Sequence, residues 1–185
     1  MSQPLIMSFC DEAVEMCLDG RKTMTRRINK GKLSLSWRAS SLSDMAAALC
    51  YVLGGDMQGA EPPVLTSISR NGRELWTVGK SIAIKPGRTS KAAGRVICTE
   101  LKVERVQDIS EEDARREGVI RVEKRTCNPR GVCVQWTFGT LKYAYPTARE
   151  AYLALWDIIH KKTNRVDANP LVVAIGFRPL EEGER

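Results

Sequence analysis

Short segments with strand-like alternation, each closed by a turn signal, follow one another through most of this 185-residue chain. The clearest turn is Asn71-Gly72, because this dipeptide readily adopts the left-handed backbone angles of a two-residue hairpin. Alternating segments on either side of it, 64–69 and 74–78, predict the two strands of that hairpin. An apolar run over 171–177 predicts a buried terminal strand. Many short strands with few helices predict an α+β domain built around a small β-barrel.

Helices are predicted at four places between these strands. Ser8, Ser110 and Thr147 are the predicted N-caps of three of them, because a side-chain hydroxyl can accept a hydrogen bond from the first helical turn. The helix after Thr147 has the clearest amphipathic stripe and should end at His160. A fourth helix is predicted over 44–53, where apolar residues recur at helical spacing.

Composition and charge narrow the class of protein. An apolar fraction of 43% with 28% charged residues is typical of a globular protein rather than a disordered one. The net charge of +7 favours an anionic partner, of which nucleic acid is the commonest. The first residues lack a basic signal region and no apolar run approaches a membrane span, so we expect a cytoplasmic protein without membrane contact.

The six cysteines and the single histidine do not form a recognisable ligand set. Cys127 and Cys133 flank an Asn-Pro-Arg-Gly turn, and their separation is not a zinc-site spacing. His160 at the predicted end of a helix is better explained by the helix dipole than by metal binding, although it could serve as a base. We therefore expect no metal and no cofactor.

The segment that most strongly suggests binding or catalysis is residues 20–27, Gly-Arg-Lys-Thr-Met-Thr-Arg-Arg, where charged and hydroxyl side chains lie close together. It follows a predicted helix and leads into a predicted strand. Cations with neighbouring hydroxyls suit an anionic or polar ligand, because basic side chains bind phosphate and a hydroxyl can act as a nucleophile. Lys22 can lose its proton more easily beside other cations. The simpler interpretation is a solvated basic strand end, with Thr25 present for its strand propensity.

Three side chains outside that segment are further candidates for ligand contact. Arg88 and Arg95 belong to a basic, glycine-containing loop, where they could bind phosphate or simply keep the loop soluble. Trp76 in the predicted hairpin is a candidate for stacking on a nucleobase. Trp156 lies on a helical stripe and is expected in the core instead.

Residues 20–27 resemble the signature of the ASCH family, a small β-barrel domain related to the PUA RNA-binding fold. Two later stretches, 78–96 and 109–118, also resemble this family, the second as an acidic helix that ends in Glu-Gly. The helix that carries Trp156 and the strand that ends at Phe177 are similar to phage and prophage members.

This resemblance implies the domain organisation of the chain. A single ASCH domain would cover 1–185, with a PUA-like barrel and flanking helices. Compared with a minimal domain, 30–73 and 120–145 would be insertions. The resemblance also implies an RNA or modified-nucleoside partner. A non-catalytic RNA-binding module and a metal-independent ribonuclease remain as alternatives to an enzyme that acts on nucleosides.

The resemblance further implies roles for individual residues. Some small bacterial ASCH proteins hydrolyse the amide of 4-acetylcytidine with a lysine, a threonine and a glutamate, which match Lys22, Thr25 and Glu117 by their place in the motifs. Arg27 matches a nearby motif arginine, and Arg26 beside it is a second substrate-binding candidate. The chain would then be an amidohydrolase.

The residues themselves are compatible with amide hydrolysis. Lys22 would be the base, Thr25 the nucleophile or the group that positions a water, and Glu117 the proton donor to the leaving amine. Arg27 or backbone N–H groups would stabilise the oxyanion. Lys22 and Thr25 would face opposite sides of one regular strand, so the site requires Lys22 to lie in the turn after Gly20. Glu117 could equally be an ordinary acid on a helix surface.

Overall fold

The structure, a computed structural model, describes residues 5–28, 33–38, 64–87, 89–125, 132–139, 141, 143–161, 163–181 and 183–184. Within them the chain forms ten β-strands, three α-helices and one 3-10 turn. The strands are β1 (Leu5–Phe9), β2 (Met24–Ile28), β3 (Leu33–Arg38), β4 (Val64–Arg70), β5 (Arg73–Thr77), β6 (Ser81–Pro86), β7 (Gly94–Arg105), β8 (Ile120–Arg125), β9 (Val132–Thr137) and β10 (Leu171–Pro179). The helices are α1 (Asp11–Leu18), α2 (Glu111–Arg116) and α3 (Ala148–Ile159), and the 3-10 turn is Val106–Asp108.

The largest sheet has five strands in the order β1-β6-β7-β10-β2. β1 pairs in parallel with β6, and the other neighbouring strands pair antiparallel. The interior of β10 is buried throughout, which confirms the terminal buried strand predicted from its apolar run. β2 follows the 20–23 turn and is the last strand of this sheet within the described residues.

The two faces of this sheet pack against different partners. Because successive residues of a strand point to opposite faces, Val173 joins a core with the β4 hairpin and α1, whereas Val172 joins a core with α2 and α3. Trp156 of α3 is 2% exposed and belongs to the second core, as its position on the helical stripe predicted. The second core fixes α2 and α3 above one face of β2.

Two smaller sheets complete the described structure. One has the order β3-β4-β5, and the other is the β8–β9 hairpin. Asn71 and Gly72 connect β4 to β5 with φ angles of 53° and 73°. Both are left-handed, as in a type I′ turn, and the hairpin predicted at this dipeptide is confirmed.

The described residues are mostly sheet with few helices, in agreement with the predicted α+β class. Their pairing gives three separate sheets, and in the ranges described these do not close into a ring. The PUA-like barrel therefore stays a prediction, as do the single ASCH domain and the two insertions. None of the described helices has the length and hydrophobicity needed to cross a membrane.

The helix caps test the local predictions. Ser110 and Thr147 both accept a hydrogen bond from the backbone N–H three residues on, so these two N-caps are confirmed. The cap at Ser8 is wrong: α1 begins at Asp11, and its N-cap position is Cys10. Ser8 instead lies within β1, because pairing with β6 extends that strand to Phe9. The helix predicted over 44–53 lies outside the described residues.

Candidate functional site

A cavity of about 500 Å³ lies beside the edge strand β2, between β1, the end of α2 and helix α3. One part of its wall is polar and comes from the 20–27 segment and the end of α2. The side chains that form it are Lys22, Thr25, Arg26, Arg27 and Glu117. Five residues singled out in the sequence therefore meet at one cavity, although almost a hundred positions separate Lys22 from Glu117.

The turn before β2 gives Lys22 and Thr25 access to the same cavity. Gly20 has φ +83°, a left-handed conformation that favours glycine and ends α1. The backbone N–H of Lys22 then donates to the carbonyl of Met16 at 2.8 Å. Lys22 thus lies in the turn and Thr25 within β2, so the geometric condition for their convergence is met.

Lys22 and Glu117 form a buried ion pair. The Lys22 Nζ lies 2.7 Å from Oε2 of Glu117, and the side chains are only 7% and 4% exposed. The same Nζ also donates to the backbone carbonyl of Glu117. Removing two charges from water is costly, so the pair depends on this close geometry and on these additional hydrogen bonds. Glu117 is consequently not an ordinary surface acid.

Arg26 is bound entirely by the protein. Its side chain is 0% exposed, and its three nitrogen atoms contact Glu104 at 2.6 Å, Asp113 at 2.9 Å and Glu117 at 3.2 Å. Burial opposes its charged form, but the carboxylates of Glu117 and Glu104 outweigh burial and hold the pKa of Arg26 above its ordinary value. Arg26 lines the cavity and its charge organises Glu117, while its part in substrate binding stays a prediction.

Arg27 differs from Arg26 in its partners. Its Nη2 donates to the backbone carbonyl of Ser8 at 2.8 Å, and its guanidinium lies 4.8 Å from the centre of the Phe9 ring. Among the described residues it has no salt-bridge partner, and burial lowers its pKa. Arg27 is therefore the cavity cation whose charge is not neutralised by direct contact with a carboxylate.

Thr25 places a hydroxyl in the same wall. The residue is 5% exposed and lies on β2 opposite Ile175 of β10. Within the described ranges the hydroxyl has no hydrogen-bond partner. A nearly buried hydroxyl that lines a cavity and is not bound by the protein is available to a ligand or to a water molecule.

The remaining wall is mostly apolar, although Ser8, Cys10 and His160 also line it, and it includes a residue that the sequence analysis did not select. It comes mainly from β1 and α3, with Phe9, Phe138, Leu155, Ile158 and Ile159. Tyr152 of α3 also lines the cavity, and burial together with the carboxylate of Glu117 raises its pKa well above the ordinary value. Tyr152 therefore stays protonated beside Glu117. It was missed because an aromatic residue on a helical stripe is typical of a core position.

Two of the predicted contact residues lie away from this cavity, and one is not described. Arg95 of β7 donates from Nε to the Ser81 hydroxyl of the paired strand at 2.6 Å. Trp76 of β5 lines a second cavity beside the β4–β5 hairpin. Arg88 lies outside the described residues. Strand pairing thus separates these side chains from the polar wall, and their part in binding stays a prediction.

Comparisons with known proteins give few matches. No protein-family model matches the chain, and no curated protein matches it. Its structure is similar to that of a DUF984 protein from Enterococcus faecalis V583, with 12% identity and a TM-score of 0.48, covering 97% of this chain and 78% of that one. It is also similar to an ASCH domain from Lactobacillus crispatus JV V101, with 13% identity and a TM-score of 0.42, covering 94% and 79%. At these values neither likeness transfers a residue role, so the site is interpreted from its own geometry.

Proposed function

We propose that this protein is an amidohydrolase that recognises a modified nucleoside, with 4-acetylcytidine as its candidate substrate. The observation that carries the proposal is that three features converge at one cavity: the Thr25 hydroxyl, which has no hydrogen-bond partner among the described residues, the buried Lys22–Glu117 pair, and Arg27. A nucleophile, a proton-transfer pair and a cation are the groups that acyl transfer requires. The family that the sequence resembles includes enzymes with this activity, which agrees with the proposal.

The charge distribution favours a small ligand over a long nucleic-acid strand at this site. Lys22 and Arg26 are both bound by carboxylates, so they are not free to bind a series of phosphates. The apolar wall with Phe9 and Phe138 suits a flat base or an acetyl group. The site thus combines an apolar surface with a few fixed polar groups, as small-molecule sites usually do.

The proposed reaction uses Lys22 and Glu117 as one unit. When the bound substrate excludes water, a proton passes from the Lys22 ammonium to Glu117 and leaves a neutral amine and a neutral carboxylic acid. Lys22 then takes the proton from Thr25, or from a water that Thr25 positions, as its oxygen attacks the acetyl carbonyl. Glu117 gives its proton to the leaving amine of cytidine, which restores the ion pair and balances the protons.

Two other groups support this step. Arg27 would stabilise the oxyanion that develops on the carbonyl oxygen, because its charge is not neutralised by direct contact with a carboxylate. If Thr25 is the nucleophile, an acetyl ester forms on its oxygen. The proton then passes from Lys22 to Glu117 a second time, Lys22 takes a proton from the water that attacks the ester, and Glu117 returns its proton to the Thr25 oxygen as acetic acid leaves and ionises to acetate. If a water attacks directly, acetate forms in a single step.

The test is a chromatographic assay of cytidine released from 4-acetylcytidine. We expect wild-type protein to convert the substrate, and Thr25→Ala and Glu117→Gln to lose on the order of a hundredfold or more in rate. Thr25→Ala removes only a hydroxyl that has no partner among the described residues, so its fold should be retained. Arg38→Gln is the control, because it removes an exposed cation outside the cavity and should leave the rate unchanged.

The alternatives predict different results in the same preparation. A non-catalytic RNA-binding module would release no cytidine at any enzyme concentration, but would bind RNA with an affinity that falls steeply with salt. A metal-independent ribonuclease would cut unmodified RNA in the presence of a chelator. Either pattern, with no conversion of 4-acetylcytidine, would overturn the proposed function.

A further inference from the structure

The reaction proposed above leaves one buried ionisable side chain of the cavity without a task. Tyr152 of α3 is 4% exposed and lines the cavity together with Glu117. Its ring packs in the core that α3 shares with α2, as expected for an aromatic residue on a helical stripe. Packing alone does not require a hydroxyl, and a buried phenol needs a hydrogen-bond partner.

The partner of the Tyr152 hydroxyl is Glu117. Burial, the carboxylate charge of Glu117 and a hydrogen bond between these two side chains raise the pKa of the phenol well above its ordinary value, although the charge of Arg26 opposes them. An ionised carboxylate can only accept a hydrogen bond, so the phenol is the donor. Tyr152 thus presents a protonated hydroxyl to the residue that the proposed reaction uses as its acid.

Arg26 independently brings the same two side chains together. Its Nη1 lies 3.2 Å from Oε1 of Glu117, and its guanidinium carbon lies 5.7 Å from the centre of the Tyr152 ring. Because the Arg26 side chain is 0% exposed and held by three carboxylates, it is a fixed support for both neighbours. The position of Tyr152 beside Glu117 therefore follows from packing as well as from the hydrogen bond.

Both oxygens of Glu117 face cations of the protein. Oε2 lies 2.7 Å from Nζ of Lys22, Oε1 lies 3.2 Å from Nη1 of Arg26, and the side chain is 4% exposed. To carry a proton to the substrate itself, Glu117 would have to move away from one of these partners. Separating buried charges is costly, so a second group that reaches both Glu117 and the cavity is the easier route.

We propose that Tyr152 is a further catalytic residue, whose hydroxyl passes the proton of Glu117 to the leaving nitrogen of the substrate. This proposal rests on the amidohydrolase function proposed above. As the carbon–nitrogen bond of the amide breaks, its electron pair stays on the nitrogen and takes the proton of the Tyr152 hydroxyl. The phenol oxygen takes the proton of Glu117 in the same step. Tyr152 ends neutral, Glu117 ends as a carboxylate, and cytidine leaves with its amino group complete.

Tyr152→Phe tests the relay, because it removes the hydroxyl and keeps the ring. The rate of cytidine release from 4-acetylcytidine should fall on the order of a hundredfold. The melting temperature should fall by no more than about 4 °C, as expected for one buried hydrogen bond. Tyr145→Phe is the matched control, because Tyr145 packs against the same core but does not line the cavity, and its rate should stay within about twofold of wild type.

A substrate with a better leaving group separates the relay from a merely structural role. In 4-acetyl-5-fluorocytidine the fluorine withdraws electrons from the leaving nitrogen, which then depends less on receiving a proton. The loss caused by Tyr152→Phe should be at least about fivefold smaller with this substrate than with 4-acetylcytidine. Thr25→Ala acts on the attack instead and should slow both substrates to a similar extent. Equal losses for Tyr152→Phe with the two substrates would overturn the relay.

Two further results distinguish the relay from the function on which it rests. If wild-type protein releases no cytidine, the proposed function fails and the relay with it. If wild type is active and Tyr152→Phe is equally active, the relay alone fails. The wild-type rate in mixtures of H₂O and D₂O gives a test that needs no variant to fold. Two protons that move in one step predict a curved dependence on the deuterium fraction, and a linear dependence would contradict the relay.

Discussion

The same atom, the Nε of an arginine in a sheet, has opposite surroundings in Arg26 and Arg70. In Arg26 it donates to Glu104 at 2.6 Å, and the other two nitrogens contact carboxylates as well. In Arg70 it is buried without a hydrogen-bond partner among the described residues, and a second arginine lies directly opposite across the hairpin. Carboxylates of the chain itself thus balance the charge of Arg26, whereas the Nε of Arg70 has no such partner in the part of the chain that the structure describes. Basic residues in a sequence can therefore have structural or binding roles that their number does not distinguish.

The largest effect on stability is expected from breaking the ion pairs that Glu117 forms with Lys22 and Arg26. Glu117→Ala leaves the Lys22 ammonium buried without its carboxylate and removes one partner of Arg26. Breaking a buried pair in this way should lower the free energy of unfolding by about 3–5 kcal/mol. Urea unfolding followed by circular dichroism measures it. The control is Asp19→Ala, which breaks the exposed pair with Arg21 and should leave the midpoint unchanged. Equal shifts for both variants would show that burial of the Glu117 pair has no special importance.

A smaller effect is expected from Tyr152→Phe, which removes the hydroxyl beside Glu117. The loss of one buried polar contact should cost about 1 kcal/mol in urea unfolding. If the phenol also helps to position Glu117, the hydrolysis rate should fall more than this stability loss alone explains, and the pH dependence of the rate should move. A variant with unchanged rate and unchanged pH profile would restrict Tyr152 to packing.

The raised pKa of Glu104, which contacts Arg26, predicts the direction in which the free energy of unfolding changes with pH. Burial raises the pKa of Glu104 above its ordinary value even though Arg26 lowers it. Because the native state then holds the proton more tightly than the unfolded state, this contribution to stability is present at low pH and is lost as pH rises through the raised pKa. Glu104→Gln should therefore flatten the decline in stability with rising pH above about 4.5, the ordinary value. A steeper decline in the variant would reverse the assigned direction.

The sequence correctly predicted several parts of the fold that are determined by residues close together along the chain. The turn at Asn71-Gly72 and the caps at Ser110 and Thr147 each depend on backbone angles or hydrogen bonds within a few residues. The predicted cap at Ser8 failed because a distant strand, β6, pairs with β1 and extends it past that residue. Long-range pairing of this kind leaves no periodic signal in a single sequence.

In the candidate site too, contacts between residues close in sequence could be predicted, and contacts between distant residues could not. Lys22 and Thr25 could be brought together from sequence because both lie in one short segment after a turn glycine. The contacts of Arg26 could not be predicted, since Glu104, Asp113 and Glu117 lie 78, 87 and 91 residues away along the chain. Trp76 was singled out as a candidate for stacking on a base, which stays a prediction, and only the pairing of β4 with β5 shows that it lines the same cavity as Arg70.

The most direct test of the central claim is the release of cytidine from 4-acetylcytidine by wild-type protein and by Thr25→Ala, compared at equal protein concentration. The predicted result is conversion by the wild type and a rate on the order of a hundredfold lower for the variant, with the same melting temperature. Equal rates for the two proteins would show that Thr25 has no part in the chemistry. No conversion by either protein would contradict the assignment of this cavity to amide hydrolysis of that nucleoside.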